Sequence, residues 1–285
     1  MANLKEIRNR IASVSSTMQI TSAMKMVSAA KLKKAQDAIT AMRPYSDTLT
    51  DLLQSLSGSI ESSDASKYAA VRGEDKILLV AITSNRGLCG AFNTNVIKQA
   101  QYLAKGAYAG KAVSVMAVGK KSADILGKDF PLVSNESAIY EDLTFANVSE
   151  IADRLMEDFA TEKFDKIVLI YNKFKNAATQ IVTTEQFLPI VPVVGAAAES
   201  DYIFEPGKAE IVSELVPKAL KTQLFKGIRD SFASEHGARM TAMHKATDNA
   251  TDLRDQLKLT YNKARQAAIT NEILEIVGGA EALND

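Results

Sequence analysis

The segment Thr83–Gly90, with the sequence TSNRGLCG, is the first place in the chain where residue types could do chemistry. It follows an apolar run typical of a strand and precedes a helical stretch, and such a turn can bind phosphate through backbone N–H groups. Its spacing is neither G-x-G-x-x-G nor G-x-x-x-x-G-K-[ST], so both nucleotide fingerprints are absent. Gly87 and Gly90 suit a structural role through unusual backbone angles, and a partner contact or a phosphate site are the alternatives.

Cys89 is the single cysteine and stands at the predicted start of a helix, where a thiol pKa is lowered and a nucleophile would be favoured. Such a nucleophile needs a base, and both histidines, His236 and His244, belong to a predicted C-terminal helix. Their spacing separates them by about two turns, too far to share one metal ion. The acidic pairs Glu141–Asp142 and Glu157–Asp158 cannot be told from surface acids. We therefore expect no catalytic residue, no metal and no cofactor.

The middle of the chain alternates between strand-like and helix-like runs. Near-continuous apolarity in the strand-like runs is typical of a parallel sheet that is buried on both faces. This alternation predicts a doubly wound α/β domain over residues 76–206, with a further edge strand at 178–188. The predicted strands are Lys76–Ile82, Val113–Val118 and Lys166–Tyr171, and the predicted helices are 91–104, 121–126 and 147–160.

Both chain ends carry an apolar stripe with a period of 3.5 residues, which is typical of a coiled coil. Residues 1–57 predict one long helix, and residues 208–285 predict another. Because the middle domain leads the chain out and back, the two helices should pair antiparallel. Pro44 and Pro217 are expected to bend them, since proline lacks the N–H that a helix interior needs.

The stripe of the first helix shifts by one residue between Thr21 and Ser28, so the supercoil should change there. Met24 and Met26 flank this shift, and at least one of them should face outward. Methionine in the long helices is suited to filling gaps in a coiled coil, or to an adaptable surface that contacts several different partners.

Charge excludes some functions and suggests one partner chemistry. The 34 basic and 34 acidic residues balance, which argues against a protein built to bind nucleic acid. Residues 1–44 nevertheless hold eight basic and only two acidic residues. Such an arm is either a solvated face or a dock for acidic partner loops. The longest apolar run, Ile77–Ile82, is far shorter than the roughly 20 residues that cross a bilayer.

Seven motifs, spread over essentially the whole chain and in the same order, together resemble the gamma-subunit family of F-type ATP synthases. No single motif would be diagnostic, but their number and order are. The motifs lie at Ile7–Val14, Gln19–Val27, Lys31–Gln36, Arg86–Gly90, Ala238–Met243, Ala246–Asn249 and Tyr261–Thr270.

The resemblance implies an α/β fold plus a long antiparallel α-helical coiled coil, with a Rossmann-like domain inserted between the N- and C-terminal helices. It implies a non-catalytic central rotor stalk, which proton flow turns and whose asymmetry drives three catalytic beta subunits through different nucleotide affinities. The implied partners are three alpha and three beta subunits, the epsilon subunit and the membrane-embedded c-ring, with no nucleic acid and no direct nucleotide binding. The implied location is peripheral, on the cytoplasmic face of the bacterial inner membrane.

Carried over residue by residue, the family motif assigns partner contacts at two places. On the shaft, Arg265 and Gln266 match the pair that grips a mobile loop of the beta subunit, and Met24 with Arg239 matches the region that faces the acidic lever loop of that subunit. Thr270 and Glu272 follow the gripping pair on the same helix.

At the foot, Tyr202 and Glu205 match positions near the c-ring and the epsilon subunit. The match is looser here, because Ile203–Phe204 only approximates the family pattern. Gly90–Ala91 also departs from the family, which commonly has two glycines at this point.

Two other functions compete with the rotor on residues alone. A free-standing coiled-coil scaffold or chaperone with an inserted α/β domain would share the stripes, but it has no reason to carry Arg265 and Gln266. An enzyme acting on a nucleotide or phosphate in the middle domain would have to bind its substrate strongly and stoichiometrically at a site such as Thr83–Gly90.

Overall fold

The structure is a computed structural model that describes residues 4–55, 66–190, 205 and 207–281. Its helices are α1 Leu4–Ser55, α2 Ser66–Ala69, α3 Phe92–Lys105, α4 Lys120–Asp129, α5 Phe145–Ala160 and α6 Lys208–Glu281, with a short 3-10 helix at Ser137–Tyr140. Its strands are β1 Lys76–Ile82, β2 Ala112–Val118, β3 Leu132–Asn135, β4 Lys166–Phe174 and β5 Gln180–Leu188. The chain forms two compact units, one of residues 29–239 and one of residues 1–28 with 240–285.

The sheet of the first unit has five strands in the order β3-β2-β1-β4-β5. Neighbouring strands run parallel except for β5, which is antiparallel to β4 at one edge. All three strands that were predicted from continuous apolarity are confirmed, and so is the added edge strand. Strand β3 was not predicted, because its four residues LVSN are partly polar and too few to show a period.

Helices cover both faces of this sheet, so the domain is doubly wound. On one face Val96, Ala100 and Leu126 from α3 and α4 pack against alternate residues of β1. On the other face, α5 is joined by the first part of α6. The α6 members of this second core are Val212, Val216, Leu220, Leu224 and Ile228, at most 3% exposed. The stripe at the start of α6 is therefore buried on the sheet.

The second unit is an antiparallel pair of helices, as predicted. The Oγ1 atoms of Thr21 and Thr247 lie 2.8 Å apart across the pair. Nearer the start of α1, an Arg8 Nη2 donates to the Tyr261 hydroxyl at 2.8 Å. As the number on α1 falls, the number on α6 rises, which defines the antiparallel direction. This register carries α6 beyond roughly residue 265 past the first residue of α1.

The stripe shift on α1 leaves several apolar side chains facing outward. Met26 is 65% exposed, whereas Met24 is half-buried, so the expectation that one of the two faces outward is confirmed. Both long helices run through their prolines, Pro44 and Pro217, without a break in helical assignment.

Candidate partner-contact site

Arg239 lies at the end of the first unit and holds the turn that follows β1. Its Nη1 donates to Glu235 Oε1 at 2.6 Å, one helical turn earlier on α6. Its Nε and Nη2 donate to the carbonyl of Gly87 at 3.3 and 3.2 Å, and Nη2 also reaches the carbonyl of Arg86 at 3.2 Å. Both side chains of the ion pair are under 10% exposed. The guanidinium therefore clips α6 to the turn rather than facing solvent.

Two polar groups of Ser84, at the start of this turn, are bonded within the chain. Ser84 N donates to Asn93 Oδ1 at 2.9 Å, and Ser84 Oγ donates to the carbonyl of Arg86 at 2.6 Å. Leu88 and Gly90 adopt left-handed backbone angles, with φ of 62° and 60°, whereas Gly87 does not. The structural interpretation is thus confirmed at Gly90 and wrong at Gly87, where the next residue takes the unusual angle. Because the Ser84 N–H is already bonded to Asn93, it is not available for phosphate.

Cys89 is a buried thiol, 2% exposed. Asn93 Nδ2 donates to its Sγ at 3.2 Å. Burial raises the pKa of the thiol above its ordinary value and outweighs the hydrogen bonds and the Arg239 charge that lower it. This environment disfavours a nucleophilic role for Cys89, because the reactive form is the thiolate.

His236 is buried beside the Arg239 ion pair, on the turn of α6 just before it. Its ring meets Phe232 edge-on at 4.5 Å, and neither ring nitrogen has a hydrogen-bond partner among the described residues. Burial, and then the charges of Arg239 and Lys31, lower the pKa of His236 to about 4. The imidazole is therefore neutral near pH 7.

Helix α6 fills the place where a doubly wound domain ordinarily binds its ligand. That place is the crevice at the carboxyl ends of two neighbouring strands where the strand order reverses, here β1 and β4. Ser234 Oγ on α6 donates to the carbonyl of Asn172, whose Nδ2 donates to the carbonyl of Phe92. A Cβ on Gly237 would lie 3.2 Å from the Cα of Ala177. Because α6 occupies the crevice, we infer that the crevice serves to anchor this helix.

The other predicted shaft residues lie in the two-helix unit, where Met24 is half-buried and the four on α6 face solvent. Arg265, Gln266, Thr270 and Glu272 are all exposed, and they fall within two turns of α6. The Thr270 hydroxyl donates to the carbonyl of Gln266 at 2.9 Å, along its own helix. The structure therefore brings these four together as one exposed stretch.

Lys25, next to Met24, crosses to the second helix of the pair. Its Nζ lies 3.4 Å from Nδ1 of His244, and the same Nδ1 lies 3.4 Å from Asp248 Oδ2. Among the described residues, no group of three or more His, Cys, Asp or Glu side chains could hold a metal ion. At the foot, Glu205 is exposed, and Tyr202 lies outside the described residues.

Sequence reasoning missed two members of this site. Glu235 carries no motif signal beyond its i,i+4 spacing from Arg239, which is also typical of ordinary surface pairs on helices. Leu88 reads as an apolar residue in a turn, and only the backbone geometry shows that it is left-handed and 64% exposed.

Comparison with known proteins gives these geometries a context. The family model described as ATP synthase matches residues 3–283. A Flavobacterium johnsoniae protein named ATP synthase gamma chain is 70% identical over 286 residues, which cover 100% of both chains. The chain belongs to the ATP synthase gamma chain family. A Geobacter relative of the same name is 45% identical over 288 residues, covering 99% of each chain.

Solved structures agree at the level of the fold. A chain of the Euglena gracilis mitochondrial ATP synthase, seen by cryo-EM with OSCP, F1 and the c-ring, has a TM-score of 0.71 at 23% identity, covering 98% of this chain and 94% of that one. A chain from the central stalk and c-ring of the Tetrahymena thermophila enzyme has a TM-score of 0.59 at 25% identity, covering 80% of this chain and 99% of that one.

Membership assigns the chain a non-catalytic role, as the central stalk of the F1 part of ATP synthase. It is a peripheral part of that complex. Within the described residues, none of the helices is long and apolar enough to cross a membrane.

Proposed function

We propose that the chain turns as a rotor inside a ring of three alpha and three beta subunits, with its foot on the c-ring and the epsilon subunit. In this proposal residues 1–57 and 208–285 supply the shaft, and residues 76–206 supply the domain near the membrane. The complex sits on the cytoplasmic face of the bacterial inner membrane, and proton flow drives it.

The observation that carries the proposal is the exposed stretch of α6 in the two-helix unit. No residue described after Ala250 is buried, although Leu259, Ile273, Leu274 and Ile276 are large and apolar and each is more than 50% exposed. An apolar surface of this kind marks a contact with another protein. Polar groups for directed hydrogen bonds, Arg265 and Gln266, lie within the same stretch.

The coupling mechanism is differential binding. A rotor face that contacts one conformation of a beta subunit better than another shifts the equilibrium of that subunit by the difference, and by no more. Moving an equilibrium from 1:99 to 99:1 requires about 5.5 kcal/mol. Hydrogen bonds to charged groups contribute about 1.5–3 kcal/mol each, so a few bonds from Arg265 and Gln266 to acidic loops are of the right size.

A rotation assay tests this function directly. The chain is assembled with alpha and beta subunits that are fixed to glass, and a bead is attached through a Lys105→Cys variant, at the exposed end of α3. Native Cys89 is buried and should not react under mild labelling. We expect one-directional turning with three pauses per revolution when ATP is added. Hydrolysis of ATP without turning of the bead would contradict the rotor.

Cell fractionation tests the location. The chain should sediment with inner membranes and be released, together with alpha and beta subunits, by a low-ionic-strength wash. Release of the chain alone, or retention after the wash, would contradict a peripheral position within the complex.

A further inference from the structure

Arg239 matches a family position that faces a partner, yet its charge is not presented to one. The side chain is 8% exposed, and each of its three nitrogens donates within the same unit. Nη1 is used by Glu235, and Nε and Nη2 are used by the carbonyls of Arg86 and Gly87. A cation in this state is already paired, so a partner would have to break that pairing before it could bind the guanidinium.

The part of this region that is exposed to solvent is the turn whose carbonyls Arg239 binds. Directly after the carbonyls of Arg86 and Gly87, Leu88 takes a left-handed backbone angle and is 64% exposed. That conformation costs a residue with a Cβ about 1–2 kcal/mol, so it persists only where neighbouring contacts impose it. The hydrogen bonds from Arg239 to the carbonyls of Arg86 and Gly87 supply such contacts before Leu88. After Leu88, Gly90 continues the turn with φ of 60°.

We propose that Arg239 and Glu235 are positioning residues that fix the turn Arg86–Gly90, so that a surrounding subunit reads the shape of the turn and its Leu88 side chain instead of the charge of Arg239. The inference rests on the rotor function for what reads the turn. The positioning itself is a property of the chain alone, and it can be measured without any partner.

Charge and geometry are separable by substitution. Arg239→Lys keeps the positive charge but loses the planar fork that bonds Glu235 and two carbonyls at once. Glu235→Gln keeps Arg239 itself and removes only the charge that orients it. If Arg239 acts by its charge, Arg239→Lys resembles the wild type. If it acts by positioning, Arg239→Lys and Glu235→Gln are both impaired, and they resemble Arg239→Gln.

Cys89 is a reporter inside the turn, since it is the single cysteine and is 2% exposed. The rate at which an aromatic disulfide reagent modifies it in the full-length chain measures how often the turn opens. We expect Arg239→Lys, Arg239→Gln and Glu235→Gln each to raise that rate about tenfold or more, the factor that follows from losing one charged hydrogen bond. The matched control is Arg229→Lys, because Arg229 also lies on α6 and donates to a backbone carbonyl, that of Leu143.

The same variants are then assembled with alpha and beta subunits, and ATP turnover is measured. We expect turnover to fall in all three and in Leu88→Ala, with Arg229→Lys unaffected.

Wild-type labelling rates in Arg239→Lys and Glu235→Gln overturn the positioning role. Raised labelling with unchanged turnover, in a complex whose bead still rotates, overturns the reading of the turn by a partner. Absence of rotation in the wild-type assembly is a failure of the proposed function alone. Unchanged melting temperatures of the variants verify that the effect is local.

Discussion

At the scale of single residues, the clearest separation is between side chains that the fold buries and side chains that it leaves exposed. His236, Glu235 and Arg239 are each under 10% exposed. Arg265, Gln266, Thr270 and Glu272 are all exposed. The family pattern placed Arg239 and Arg265 in the same class of partner contacts, and only the structure distinguishes a residue that holds a turn from one that faces outward.

Buried His236 predicts a loss of stability in mild acid. Its pKa in the folded chain is about 4, below the ordinary 6.5, so the unfolded chain binds more protons between these values. Its contribution is complete above pH 6.5 and is lost as the pH falls towards 4, by at most about 3 kcal/mol. His236→Gln should therefore flatten the change in unfolding free energy, measured with urea at pH 7.5 and pH 5.

Two other groups bear on that measurement. Burial raises the pKa of Glu235, so this carboxyl acts in the opposite direction, and its effect is confined to pH values between its ordinary 4.5 and its raised value. The control is His244→Gln, since His244 is exposed and pairs only at the surface. A pH dependence that survives in His236→Gln and disappears in His244→Gln would assign the effect to the wrong histidine.

The gripping pair predicts a defect in turnover without a defect in assembly. Arg265→Ala combined with Gln266→Ala removes exposed donors from α6 and touches no buried contact, so the fold and the complex should form normally. ATP turnover of the assembled complex should drop by roughly tenfold or more, since each lost charged hydrogen bond is worth about 1.5–3 kcal/mol. Lys263→Ala, an exposed cation on the same stretch, is the control. Undiminished turnover in the double variant would remove the gripping role.

Met24 predicts a defect in coupling. Met24→Lys places a second cation beside Lys25 in the basic arm, and it should bind acidic partner loops too tightly for smooth rotation. Proton pumping per ATP hydrolysed should fall by about half or more, because an ion pair of a few kcal/mol would hold the shaft too tightly to its partner. Met26→Lys is the control, because Met26 is already 65% exposed. Equal pumping per ATP in the Met24 variant and the wild type would count against the coupling role.

At the scale of elements, sequence period predicted most of the fold but not which surface each stripe buries. Continuous apolarity identified β1, β2 and β4, because strands buried on both faces leave no polar alternation. A 3.5-residue stripe identified α6, yet its first part packs on the sheet and a later part pairs with α1. The period is the same in both cases, because a helix buries one face whether it packs on a sheet or on another helix. Strand β3 depends on pairing with β2, and its four residues carry no local signal.

The turn that joins β2 to α4 yields a prediction about stability. Gly119 has φ of 118°, and a Cβ there would overlap the carbonyl oxygen of Thr83, so Gly119→Ala should destabilise the chain by about 2 kcal/mol or more. Gly127 on α4 has room for a Cβ, with its nearest neighbour at 3.8 Å, and Gly127→Ala should stabilise by about 0.5–1 kcal/mol. Thermal unfolding of both variants measures the contrast, and shifts of the same sign would refute it.

At the scale of the whole molecule, one unit buries its apolar side chains in its own core, whereas the other leaves large apolar side chains exposed. The sheet domain has a core on each face, with many residues fully buried. The end of α6 has large apolar side chains and no buried residue among those described after Ala250. The sequence predicted this helix but not its exposure, because a stripe with the right period reads the same whether its partner lies in the same chain or in another.

That exposed end also bears on how a cell must handle the protein. A newly made copy that has not met its partners displays Leu274, Ile276 and Val277 to solvent, each more than half exposed. Surfaces of this kind associate with one another and attract chaperones and proteases. Orphan copies should accordingly be short-lived, so that supply of this chain is matched to supply of its partners by removal of the excess rather than by storage.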